Sequence, residues 1–220
     1  MRKTLVLLLL IFLCSIHAYS EEQDLDSVID GVQKKYEQID NFQAVFTQES
    51  EIKALNKTQL AEGEVWFKKP GKMRWNYNTP KKDQIVSDGK TLWFYDEEEQ
   101  QVIETPLNQV SETQSTTTLL SGLGKIKELF DASFAEPDNH SPNGEYMVDL
   151  VPKGDEEYNK VTISVDKNDM MVNKIFLHDP LGNLTTVKLA DIKTNNGVSD
   201  SLFEFKTPEG AEVVKPPSFQ

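Results

Sequence analysis

The stretch IVSDGKTLWFYD, residues 85–96, holds two short apolar runs on either side of Asp88-Gly89. An Asp-Gly pair between apolar runs is the strongest short signal for a β-hairpin, because glycine tolerates the positive φ angle of a tight turn. The second run, residues 91–95, is apolar on both faces of a strand. We therefore predict two consecutive antiparallel strands here.

Strand patterns extend from this hairpin in both directions. Residues 42–47 alternate between apolar and polar side chains, and Met73, Trp75 and Tyr77 share one face of another strand. Further strands are predicted at residues 65–68, 146–151, 158–165, 172–178 and 184–192, followed by a polar strand at residues 203–205. The whole set predicts one large antiparallel sheet.

Two segments have helical spacing. Residues 25–39 carry apolar side chains at intervals of three and four, which is typical of an amphipathic helix lying on an apolar surface. Residues 113–130 have a similar pattern, but Gly122 and Gly124 interrupt it. The second helix is therefore a candidate moving element.

The predicted fold is a single α+β domain without a linker-like stretch. If the sheet curls into an unclosed antiparallel β-barrel, or half-barrel, the two helices cover its concave side as a lid above a cavity. The alternative is a filled core made of Phe67, Met73, Trp75, Leu120 and Leu123. Because aromatic and leucine stripes usually belong to a core, the pattern alone favours the filled core.

The composition excludes several classes of protein. The 220 residues are 38% apolar and 27% charged, which suits one globular domain and disfavours disorder. The 36 acidic and 23 basic residues give a net charge of −13. An acidic surface of this size repels phosphate backbones, so we predict no nucleic-acid partner.

The N-terminus has the features of a secretory signal peptide. Arg2 and Lys3 precede an apolar run over residues 5–13, and Ala18-Tyr19-Ser20 offers small residues for cleavage. We predict a signal peptide over residues 1–20 and a periplasmic domain over residues 21–220. The single cysteine, Cys14, lies within the signal peptide. Leu13 precedes it where a lipidation signal needs a small residue, so we expect no lipid anchor.

The sequence offers no group for catalysis. Residues 21–220 contain no cysteine nucleophile, and their two histidines, His140 and His178, do not have the spacing of metal ligands. Motifs for serine hydrolases, nucleotide-binding loops and zinc proteases are missing. We predict a protein without enzymatic activity, metal or cofactor.

Several segments resemble a known family. Residues 85–96, Phe46-Thr47-Gln48, residues 63–75 and the C-terminal residues 203–210 are similar, in the same order, to the periplasmic outer-membrane lipoprotein carrier family, LolA. The resemblance implies an unclosed β-barrel with an α-helical lid over a hydrophobic cavity. It also implies a monomeric chaperone that takes acylated lipoproteins from an inner-membrane, LolCDE-like ABC transporter and delivers them to an outer-membrane, LolB-like receptor.

The resemblance also implies a set of site residues. It places an acyl-chain cavity against six apolar side chains: Phe67, Met73, Trp75, Leu119, Leu120 and Leu123. In the family a basic residue before a proline hydrogen-bonds the backbone of the lid, and Lys69 holds that position here. Arg74 is the second candidate for this lid latch, although it faces the opposite side of its strand from Trp75.

Other functions on the same fold stay open at this point. A sister receptor of the LolB type is itself a lipoprotein, which the residue before Cys14 disfavours. A lipid- or lipoprotein-binding sensor or structural domain of the envelope is the main alternative. A lipid or glycan hydrolase would need a catalytic group that the sequence does not offer.

Overall fold

The computed structural model describes residues 24–109, 120, 123–137, 139–154 and 158–214. The predicted signal peptide and Leu119 lie outside the described residues. Of the helices in the described part, none is long and apolar enough to cross a membrane.

Within the described ranges, twelve strands form one sheet. Their bounds are β1 Asn41–Ile52, β2 Lys57–Lys68, β3 Lys72–Thr79, β4 Gln84–Asp88, β5 Thr91–Asp96, β6 Gln101–Pro106, β7 Phe130–Phe134, β8 Tyr146–Pro152, β9 Lys160–Val165, β10 Val172–His178, β11 Leu184–Thr194 and β12 Glu212–Val214. The predicted hairpin at residues 85–96 is confirmed, since β4 and β5 pair antiparallel across a turn in which Gly89 has a φ of 94°.

The strand order is β12-β6-β5-β4-β3-β2-β1-β11-β10-β9-β8-β7. Two meanders, β1 to β6 and β7 to β11, join where β1 pairs antiparallel with β11. The sheet ends at β12 on one side and at β7 on the other, so the predicted unclosed half-barrel is confirmed. One pairing differs from the prediction, because the short strand β12 runs parallel to β6.

Helical segments cover the concave side of the sheet. Helix α1 spans Leu25–Glu37, begins at the N-cap Asp24 and buries Val28, Ile29, Val32 and Tyr36. The second piece, here called the lid segment, comprises Leu120 and residues 123–129, which form a 3-10 turn followed by the short helix Ile126–Leu129. Helix α1 packs on the lid segment, so the predicted helical lid over an antiparallel sheet is confirmed.

The sheet has an apolar cluster on each face. The concave cluster combines buried side chains of α1, the lid segment and the inner faces of β1 to β3 and β7 to β11. A smaller convex cluster consists of Val86, Tyr95, Val102, Val198 and Phe203, which are all buried. Val198 and Phe203 belong to residues 198–214, the C-terminal strap, which crosses the outer face over the other three and adds β12 to the edge of β6.

Two predicted elements are wrong. Residues 203–205 do not form a strand, because Asp200–Phe203 is a 3-10 turn and the chain beyond it is irregular. There the chain is fixed by side chains of the sheet, such as Trp93 stacked on Phe205 at 5.6 Å between ring centroids. The predicted second helix also extends too far, since Phe130 begins β7. In β7 the inward residues Phe130 and Ala132 alternate with outward polar residues, as expected for an edge strand.

Candidate functional site

The predicted cavity residues lie together on the concave face. Phe67 on β2 stands directly opposite Met73 on β3, and Trp75 follows on the same face. Leu120 and Leu123 of the lid segment belong to the same cluster. These five side chains are between 0% and 7% exposed, so each is covered by other parts of the protein.

Aromatic rings continue this face beyond Trp75 along β1 and β3. The Phe46 ring packs edge-on against Trp75, with 4.8 Å between centroids, and against Tyr77 at 5.0 Å. Gly63 stands opposite Phe46 on the neighbouring strand and makes this packing possible. A Cβ atom at Gly63 would lie 2.9 Å from the Phe46 ring and 2.0 Å from the carbonyl oxygen of Asn76.

An open groove of about 620 Å³ occupies the far end of the concave face. Its apolar floor is formed by Tyr77, Ile85 and Phe94. Tyr77 donates a hydrogen bond to Gln48 Oε1 at 3.2 Å, and burial raises the pKa of its hydroxyl to about 12. The hydroxyl is therefore neutral near pH 7. The groove offers an apolar surface with hydrogen-bonding groups at its side.

The sequence alone does not predict the groove, although the alternation of side chains along β3, β4 and β5 indicates part of its lining. Tyr77 shares a face with Trp75, and alternation along β4 and β5 places Ile85 and Phe94 beside it. The sequence does not show how the strands align with one another along the concave face. It therefore does not show that these side chains line one groove.

Lys69 fastens helix α1 to the sheet. Its Nζ donates hydrogen bonds to the backbone oxygens of Tyr36 and Glu37, each at 2.8 Å, in the last turn of α1. Carbonyl groups at a helix C-terminus have no hydrogen-bond partner within the helix and carry partial negative charge. A lysine there supplies both the missing donor and a compensating positive charge. The backbone N–H of Lys69 also donates to Asp40 O at 2.8 Å. The structure thus places Lys69 against a helix of the lid.

Arg74 lies on the other face of the sheet. Its guanidinium donates to Asn76 Oδ1 at 2.8 Å, to Gln84 Oε1 at 2.7 Å and to Leu202 O at 3.1 Å. Burial lowers its pKa from the ordinary value. The bond to Leu202 O anchors the C-terminal strap to the convex face. We therefore keep Lys69 as the candidate for the lid latch and assign Arg74 to the strap.

Residues 37–206 match the family model described as "Outer membrane lipoprotein carrier protein LolA". The chain belongs to the LolA family. The matched range begins at the last residue of α1 and contains the lid segment, strands β1 to β11 and both Lys69 and Arg74. The predicted family is confirmed.

Named relatives in the LolA family cover most of the chain. An outer-membrane lipoprotein carrier protein of Alkalilimnicola ehrlichii is 32% identical over 182 residues, which are 82% of this chain and 80% of the relative. One from Legionella pneumophila is 30% identical over 231 residues, covering 98% of this chain and 100% of the relative. An uncharacterized conserved protein from Thermus thermophilus shares the fold, with a TM-score of 0.55 and 17% identity over 88% of this chain and 100% of that protein.

Proposed function

We propose that this LolA-family protein is a periplasmic carrier of acylated lipoproteins. It accepts them from an inner-membrane, LolCDE-like ABC transporter, shields their acyl chains against the concave face and delivers them to an outer-membrane, LolB-like receptor. The observation that best supports this function is that helical segments cover the concave cluster. An apolar sheet face lies under two short helical pieces, one of them fastened to the sheet by Lys69.

The energetics of an acyl chain explain why such a carrier has to hide it. Burying a chain of about 16 carbons at ~0.8 kcal/mol per methylene stabilises it by roughly 12 kcal/mol, so the free chain does not cross water unaided. The side chains of the concave cluster and of the lid pack against one another. Closure therefore competes with the acyl chain and permits release without a nucleotide bound to the carrier.

The proposal contains no catalytic step and needs no metal or cofactor. The concave face offers mainly apolar side chains, and its groove adds amide and hydroxyl groups such as those of Gln48 and Tyr77. Such a surface binds an amphiphile by burial and hydrogen bonding. We propose a monomeric carrier, since one concave face is sufficient to hold the acyl chains of one lipoprotein.

A release assay tests the function. Purified residues 21–220 are incubated with inner-membrane vesicles that contain the matched transporter and a radiolabelled lipoprotein, with ATP or without it. We expect an ATP-dependent, soluble one-to-one complex of carrier and lipoprotein. If the lipoprotein stays in the membrane while a known carrier of the family releases it, the protein is instead a lipid-binding sensor or structural domain of the envelope.

Lys69→Ala should make the carrier retain its lipoprotein more tightly. The change removes both hydrogen bonds that hold α1 closed, and a hydrogen bond from a charged donor contributes about 1.5–3 kcal/mol before solvent screening. Because Lys69 is partly exposed, we expect a smaller shift of about 1–2 kcal/mol, or roughly 5- to 30-fold slower release to the receptor. The measurement is the transfer rate of preloaded complex to receptor-bearing membranes.

Two variants control for charge and geometry at this position. Lys34→Ala removes an exposed lysine from the last turn of α1 and should transfer its lipoprotein at the wild-type rate. Lys69→Arg keeps a donor beside the same carbonyl groups and should restore most of the release. Equal transfer rates for Lys69→Ala and Lys34→Ala would show that Lys69 is not a latch.

A further inference from the structure

Helix α1 is bound firmly to the sheet at its C-terminal end. The backbone N–H of Val172 donates to the hydroxyl of the buried Tyr36 at 3.3 Å. Lys69 holds two carbonyl groups of the last turn, and Asn195 Nδ2 donates to Gln38 O at 3.0 Å. These contacts connect α1 to three separate parts of the sheet and its turns.

The N-terminal half of α1 packs on the lid segment through buried apolar side chains, and Lys127 adds polar contacts at the exposed side. Lys127 Nζ lies 2.5 Å from Asp30 Oδ1 and 3.7 Å from Asp26 Oδ1, and its backbone N–H donates to Gln33 Oε1 at 2.7 Å. The side chains of Lys127 and Asp30 are 47% and 62% exposed. Exposed ion pairs contribute little to stability, so these polar contacts break more easily than the buried hydrogen bond of Tyr36.

A cleft lies beside these polar contacts. It has a volume of about 210 Å³ and separates the N-terminal half of α1 from the edge strand β7. Ile29 and Phe130 line it, and both are only 2% exposed because they also belong to the concave cluster. Lys127 and Asp131 form charged parts of its rim. The floor of the cleft is therefore the edge of the concave cluster itself.

We propose that this cleft is the portal through which an acyl chain reaches the concave face, and that Lys127 is the positioning residue that holds it shut. The N-terminal half of α1 lifts away from the lid segment and the helix tilts, so the Lys69 bonds break while the Tyr36 and Gln38 contacts keep its C-terminal end on the sheet. The apolar floor takes the hydrocarbon chain, and the charged rim faces the polar linkage of the lipidated cysteine. This portal rests on the proposed carrier function.

Cross-linking tests the portal directly, since residues 21–220 contain no cysteine. A double variant, Asp30→Cys with Lys127→Cys, is joined by a short, reducible thiosulfonate cross-linker. The probe is a synthetic diacylated lipopeptide with an environment-sensitive dye on one acyl chain. Because only the open form admits the chain, we expect cross-linking to slow uptake at least about tenfold, and reduction to restore it.

A second pair controls for the cross-link itself. Gln38→Cys with Asn195→Cys ties α1 to the sheet at the end that stays fixed, and we expect its uptake to be unchanged. Unchanged uptake in the cross-linked Asp30/Lys127 pair would overturn the portal and favour access through the open groove, while leaving the carrier function intact. If the protein without a cross-link takes up no lipopeptide, the carrier function fails, and the portal fails with it.

Charge exchange separates gating from a structural role. Lys127→Glu places a carboxylate beside Asp26 and Asp30, so repulsion should open the portal and speed uptake about two- to fivefold at low salt. Adding Asp30→Lys restores the pair with reversed signs and should return uptake to the wild-type rate. Slow uptake in both variants would contradict gating by Lys127.

Discussion

Replacing Trp75 by alanine should lower the free energy of unfolding by about 3–5 kcal/mol, the usual loss when a large buried aromatic side chain is truncated. Trp75 is 1% exposed, lies between Val65 and Ile85 on neighbouring strands and packs against the Phe46 ring. Few of these neighbours can move into the vacated space, because each is part of the same sheet. Equilibrium unfolding in urea measures the loss.

Trp93→Ala is the matched control for this prediction. Trp93 is half-buried on the convex face, where it stacks on Phe205 and its ring N–H lies 3.3 Å from Glu104 Oε2. Its truncation should cost less, about 1–2 kcal/mol, since part of the ring already contacts water. Equal losses for Trp75→Ala and Trp93→Ala would show that Trp75 is not a central part of the core.

The Trp75→Ala variant also tests whether an acyl chain occupies the concave face. The substitution leaves an apolar cavity in the concave cluster, and apolar cavities of this kind bind apolar ligands. A saturating diacylated lipopeptide should therefore raise the Tm of Trp75→Ala more than it raises that of the wild-type protein. The opposite order would place the acyl chain away from Trp75.

Local patterns were sufficient for the elements whose contacts are close in sequence. The turn at Gly89 and the spacing of residues 25–39 each specify their own element, because a hairpin and an amphipathic helix depend on neighbouring residues. The same holds for Phe67, Met73 and Trp75, whose alternation places them on one face. Strand β12 has only three residues, and its partner β6 is distant in sequence, so no local sequence pattern predicts it.

Contacts between distant parts of the chain explain what the sequence did not show. Arg74 is bonded to Leu202 O, 128 residues away, and this contact decides that it serves the strap and not the lid. Lys69 reaches α1 across 32 to 33 residues, and only the resemblance to a family suggested that contact. The pairing of Lys127 with Asp30 also depends on tertiary structure, because exposed charges on two helices carry no spacing signal that connects them.

Phe203→Ala should lower the free energy of unfolding by about 3–5 kcal/mol without changing lipopeptide uptake. Phe203 of the C-terminal strap is 1% exposed and belongs to the convex cluster, on the face opposite Trp75. Its removal weakens the attachment of the strap but leaves the concave cluster unchanged. Urea unfolding and the lipopeptide uptake assay measure the two effects separately. Leu202→Ala, at a half-buried position beside it, should cost less because Arg74 bonds only its backbone oxygen.

A double-mutant cycle shows whether the two faces are independent. The milder changes Trp75→Phe and Phe203→Leu keep the protein folded, and they act on clusters that the sheet separates. Their effects on the free energy of unfolding should add within about 0.5 kcal/mol, as expected for sites without shared partners. A larger coupling would mean that the strap and the concave face respond to each other through the sheet. In that case the strap would influence release, and Phe203→Ala would change transfer to the receptor as well as stability.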